Sequence, residues 1–210
     1  MGAEPVLADP DRLRAALAAE PGLASARPDG CRTLLHMVVD WPGGRPHRLE
    51  LIRALVEAGA DVNACFANGP HTETPLHWAA STDDVEAIDL LLDLGADIEA
   101  RGGVIGGGTA LDDAWAFAQW AAARRLVSRG AQPTLLAAAA LGLEVSGEGD
   151  VTQAFWAACH GGQRSSAEAL LARGADPSWV GWDGLTAEGA ARRSGAGDLA
   201  DWVSAVQRQH

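Results

Sequence analysis

Residues 74–97 read TPLHWAASTDDVEAIDLLLDLGAD, and this stretch decides the fold. Thr74 is a helix N-cap type, and Pro75 suits the first helical position, where a missing N–H costs nothing. Val85 to Leu94 is a second, Leu-rich helical run. Gly95 sits just past its end, where a left-handed backbone costs most residues energy but not glycine. The same exit recurs at Gly59-Ala60-Asp61 and Gly174-Ala175-Asp176, with Gly130-Ala131-Gln132 as a weaker copy. The same start recurs at Thr33-Leu34-Leu35-His36. One helix pair cannot bury its own apolar stripe. Self-similarity at this spacing therefore predicts stacked pairs that cover one another.

Working outward, Thr109 to Gln132 and Thr152 to Asp176 read as diverged copies. Thr134 to Leu143 reads as a lone first helix, its partner replaced by the acidic loop Glu144 to Asp150. Asp9 to Ala19 is a capping helix, with Asp9 as N-cap and Pro10 at the first position. Asp183-Gly184-Leu185-Thr186 opens a C-terminal cap running to Gln207. These residues resemble the ankyrin repeat, with its TPLH turn, two antiparallel helices and GAD exit. The resemblance spans Asp9 to Gln207 and implies an all-α solenoid forming a single domain over residues 1–210. Repeats then start near residues 33, 74, 109, 134 (partial) and 152.

The chain departs from that family in its fingers, the loops between repeats. Asp176 to Thr186 keeps the family's spacing of ten, whereas Asp61 to Thr74 is thirteen and Asp97 to Thr109 is twelve. An insertion around Trp41-Pro42-Gly43-Gly44-Arg45-Pro46 separates the first repeat's helices. The long fingers all lie in the N-terminal half, where they predict a deeper groove.

Composition narrows the function classes. The formal charge is −12 over 210 residues and the isoelectric point is near 4.8. Such a chain repels phosphate backbones and anionic membranes, so neither nucleic acid nor membrane is expected as a partner. Lys is absent, which excludes Schiff-base and P-loop lysine chemistry and suggests a high-GC bacterial source. Cys31, Cys65 and Cys159 are scattered, with no disulfide framework and no zinc-ligand spacing. No secretory, lipidation or membrane-spanning segment is visible, and the expectation is a cytoplasmic chain without metal or other cofactor. The family resemblance implies a monomer.

By register with the family, the ligand-facing positions are Asp40 and Trp41, His71 and Glu73, Ser81 and Thr82, Cys159 and His160, and Trp182 and Asp183, with Cys65 and Arg101 at a related position. His36 and His77 occupy the family's finger-bracing histidine, and the structural role leads there. Asp112 shares that column and is followed by Asp113. This pair either favours the helix dipole or shares a proton as a general base, and the structural role leads. The fold does not require His71 and Glu73, so they are the foremost catalytic candidates, joined by Asp40. Trp41 either lines the groove or plugs the insertion. Trp78 and Trp115 read as core or groove floor, and Trp120, Trp156 and Trp202 as core. Arg101 precedes the glycine-rich run Gly102 to Gly108, read as a flexible finger, and is placed to clamp a carboxylate or phosphate.

Two functions fit. Most proteins of the resembled family are protein-recognition scaffolds. More narrowly, the chain resembles ankyrin-like proteins of bacterial polyketide pathways, a setting that includes pyrone-forming cyclases. That likeness implies a small-molecule polyketide-like ligand closed into a ring. His71, Glu73 or Asp40 would act as base, Trp41, Trp78, Arg101, Asp112, Asp113 and Trp115 would hold the substrate, and no cofactor would be needed. The cyclase reading is placed slightly ahead, because the departures cluster where a pocket would form.

Overall fold

A computed structural model describes residues 6–40 and 45–208. It is all-α, with twelve α-helices and one 3-10 turn at Pro21–Ser25 among the described residues. The sole β pairing described is an isolated bridge between Val180 and Thr186. None of the described helices is long and apolar enough to cross a membrane. The chain forms two compact units, residues 1–131 and 132–210.

In the first unit, α1 (Pro10–Ala19) is capped by the Asp9 carboxylate, which accepts from the Asp11 and Arg12 amides. Three helix pairs follow: α2 (Leu34–Val39) with α3 (Arg48–Glu57), α4 (Pro75–Ser81) with α5 (Val85–Asp93), and α6 (Ala110–Ala116) with α7 (Trp120–Ser128). First helices pack on first helices and second on second, so α2, α4 and α6 form one layer and α3, α5 and α7 another. Leu76, Ile88 and Leu91 are fully or almost fully buried between the layers. Each such side chain contributes roughly 1.5–3 kcal/mol by leaving water. Ala79, Ala80 and Ala114 are wholly buried and let the first layer close tightly. The outer layer is laced by ion pairs. Arg48 reaches Asp84 and Glu86, while Arg125 and Arg129 reach back to Asp89 and Asp93.

In the second unit, α8 (Leu135–Leu141) is followed directly by another first helix. It packs on α9 (Val151–His160), which pairs with α10 (Arg164–Ala172), and α11 (Ala187–Arg193) with α12 (Gly197–Gln207) completes the stack. A Cβ on Gly161 would lie 1.8 Å from the Ala140 carbonyl oxygen, so α8 and the end of α9 meet backbone to backbone.

The fourth full repeat differs from the sequence reading. α9 is capped by Asp150, whose carboxylate accepts from Thr152 and Gln153, and Thr152 lies inside the helix. The inner helices turn into the outer ones through a left-handed residue: Asp83, Ala118, Gly162 and Gly195. Counting back from that residue aligns Gln153, not Thr152, with Thr74, Thr109 and Thr186. The register of α9 moves by one.

Candidate functional site

The finger-bracing column shows how the groove is built. His36 Nδ1 accepts from the Thr33 side at 2.8 Å, and its Nε2–H donates to the Glu73 carbonyl at 3.0 Å. His77 repeats this, with Nδ1 accepting from the Thr74 amide at 3.1 Å and Nε2–H donating to the Gly108 carbonyl at 3.3 Å. Each acceptor is the residue immediately before the next repeat's Thr cap, so each ring ties one helix start to the next. Both rings must be neutral to do so, since Nδ1 accepts. Burial holds the His36 pKa down to about 4 and lowers that of His77 as well. The structural reading of both histidines holds.

The corrected α9 register reveals a third brace. Trp156 falls in the His36/His77 column, and its indole N–H donates to the Leu185 carbonyl at 2.9 Å, immediately before Thr186. An indole thus replaces the imidazole. The same shift puts Cys159 in the column of Ala80 and Trp115 rather than on the groove. Cys159 is wholly buried, and desolvation pushes its thiol up to about 12. His160 is also buried; it stacks under Trp156 at 5.3 Å and contacts Arg193.

In α6 the column holds Asp112, whose carboxylate accepts from the Thr109 amide at 3.0 Å and from the Trp115 indole at 3.3 Å. Asp113 is wholly buried and accepts from the Val104 and Ile105 amides at 3.3 and 3.0 Å. Burial raises its pKa, opposed by those two amides and by nearby His77. The glycines serve this clamp. A Cβ at Gly103 would stand 2.6 Å from Asp113 Oδ2, and one at Gly108 the same distance from Asp112 Oδ2. The run Gly102 to Gly108 is therefore a folded finger, cross-linked by its own backbone and held by Asp113, rather than a flexible loop. Thr72 N–H donates to the Gly102 carbonyl, joining the two long fingers. Trp115 is 2% exposed and belongs to the core.

Of the foremost candidates, the structure brings Glu73 and His71 into electrostatic contact. The Glu73 carboxylate is half-buried and accepts from the Trp78 indole. Desolvation raises its pKa, nearby Asp113 raises it further, and His71 and Trp78 oppose the shift. Trp78 lies edge-on to His36 at 5.1 Å and against Phe66 at 5.8 Å. Phe66 was not singled out from sequence; the signal was a lone aromatic inside a lengthened finger. Asp40 belongs to a different cluster, as an exposed partner of Arg32 at 2.8 Å, with Asp29 also on Arg32 at 2.6 Å. Arg101 is exposed. Trp41 lies outside the described residues.

In the second unit Trp182 is 59% exposed, as register predicts for a finger tip. Trp179, which was not singled out, crosses it at 5.1 Å and 78°. The signal was the Trp179-Val180-Gly181-Trp182 spacing within one finger.

Comparison with known proteins agrees with this architecture. A family model described as ankyrin repeats (3 copies) matches residues 15–102 and 35–137. Over 50 residues the chain is 46% identical to ankyrin repeat and SOCS box protein 5 of Bos taurus, a stretch amounting to 24% of this chain and 14% of that protein.

Proposed function

Because the chain belongs to the ankyrin-repeat family, we propose that it is a protein-recognition scaffold, its contact surface carried by finger tips and inner-helix ends. One observation carries this reading. Three groups expected to hold a small substrate are committed elsewhere: Asp112 and Asp113 clamp backbone amides and Trp115 is core, while His36 and His77 brace carbonyls. What faces outward is of another kind. Val104 on a finger and Phe117 at the end of α6 are 39% and 43% exposed, and Phe117 takes the position of Thr82 in the preceding repeat. Exposed apolar and aromatic side chains on a rigid frame suit a protein contact.

The test is photo-crosslinking from benzoylphenylalanine placed at residues 82, 104 and 117. Discrete protein adducts at these positions, and none from the outer-helix position 124, are expected. Purification of the chain with a stoichiometric small molecule, and no adduct at any inner position, would overturn it.

A second reading has one observation in its favour. Glu73 is a half-buried carboxyl with a raised pKa, beside His71 and bonded to Trp78, and that tuning suits a general base. On this reading the substrate is a linear poly-β-keto chain. Glu73 or His71 removes an enolic proton, the oxygen attacks the terminal acyl carbon, and water or thiol departs. Asp40 stands apart from this pair, tied to Arg32, and Arg101 is exposed. His71→Ala, Glu73→Ala and Asp40→Ala chains that all convert a polyketide surrogate like the wild type would remove this reading.

A further inference from the structure

The groove of the first unit does not account for the tryptophan finger of the second, residues 176–186. Trp156 is only 5% exposed and is fixed by its bond to Leu185, by stacking on His160 and by the close approach of Gly181. Trp179 and Trp182 lean on it at 88° and 81°, with centroids 6.4 and 5.8 Å away. The outer two indoles are thus presented on a fixed base, and neighbouring Val180 is half exposed. The brace requires Trp156 alone.

We infer that this finger is the docking site for a basic protein segment, whose Arg or Lys side chain seats on the indole faces of Trp179 and Trp182. The inference rests on the recognition reading and gives its partner a chemistry. Indole faces carry negative potential and are the preferred aromatic seat for guanidinium and ammonium groups. The same unit already uses that contact internally, with the Arg164 guanidinium 4.9 Å from the Trp202 ring centroid. Charge points the same way. Residues 132–210 carry nine carboxylates against five arginines. Three of those arginines are spent on carboxylates of the unit itself: Arg164 on Glu168, Arg192 on Glu188 and Asp201, and Arg193 on Asp183. The net negative charge favours a basic partner over an acidic one, and the exposed indoles select the finger. Trp is among the residues enriched where binding energy concentrates, and Trp182 is exposed.

The experiment titrates the ¹⁵N-labelled full chain with a peptide of alternating Arg and Gly, its Lys counterpart and its Glu counterpart. The Arg and Lys peptides should move the indole N–H signals of Trp179 and Trp182, and the Glu peptide should not. Trp182→Ala and Trp182→Leu should each weaken the Arg peptide at least tenfold without lowering the melting temperature. The leucine variant keeps apolar contact but offers no ring face. If it binds like the wild type, the cationic assignment fails. If Trp182→Ala binds unchanged, or signals move only within residues 6–131, the finger is not the site. Protein adducts at residues 82, 104 and 117 would in that case still stand, so the recognition reading survives this failure separately.

Discussion

At the residue scale, the bracing column shows that a structural role can pass between side chains that share one property. His36, His77 and Trp156 have a ring N–H at the right reach, and each delivers it to the carbonyl before the next Thr cap. Removing that N–H while keeping a ring should expose its worth. Trp156→Phe leaves the Leu185 carbonyl without its indole donor and removes part of a buried ring, so we expect a loss of about 1–3 kcal/mol. Thermal melting reads this directly, and Trp202→Phe is the control, because no such carbonyl depends on Trp202. A Trp156→Phe chain as stable as the wild type would reduce the brace to coincidence. The two histidines were legible in the sequence because each follows its Thr cap by three residues. Trp156 was not. The cap of α9 is Asp150, so Thr152 supplied a false origin, and the error also placed buried Cys159 on the groove.

At the scale of elements, helices were legible and fingers were not. Helix starts and ends follow from local chemistry: a Thr or Asp cap, a Pro at the first position, a Gly beyond the last. A finger's shape depends on what the next helix offers it. The run Gly102 to Gly108 looks flexible by composition, yet Asp113 accepts from Val104 and Ile105 and fixes it. Its glycines therefore divide into two kinds. Gly103 is required by proximity, since a Cβ would meet the Asp113 carboxylate at 2.6 Å. Gly106 faces open space but has φ of +60°, so its requirement is conformational. Gly106→Ala should cost about 1 kcal/mol, the ordinary price of a left-handed alanine. Gly103→Ala forces a buried carboxylate off its amides and should cost more, about 2–3 kcal/mol. Urea denaturation of the two variants measures the difference, and hydrogen exchange at the Val104 and Ile105 amides should quicken in Gly103→Ala. Equal costs, with exchange unchanged, would mean that Asp113 does not hold the finger.

At the scale of the whole molecule, the same commitments set the response to acid. A chain of charge −12 repels itself at neutral pH, and protonating its carboxylates on acidification relieves that strain. Asp113 and Glu73 add to the relief. Their pKa values are raised in the fold, so stability grows as pH falls through those raised values toward the ordinary 3.8 and 4.5. The histidines act with the opposite sign. His36 is held near 4 against an ordinary 6.5, so its contribution is complete above pH 6.5 and is lost as pH falls toward 4. The full loss is roughly 3 kcal/mol for His36, and His77 adds to it. Between pH 6.5 and about 5 most carboxylates remain ionised, so the histidine effect should dominate and the urea midpoint should fall with an unchanged slope. A His36→Gln chain separates the causes, because its amide can still donate to the Glu73 carbonyl but does not titrate. It should lose the His36 share of the decline while keeping that of His77. A midpoint that stays level from pH 7 to 5, or a His36 ring signal titrating near 6.5, would show that the first brace tolerates a charged ring. The neutral tautomer would then not be what links one repeat to the next.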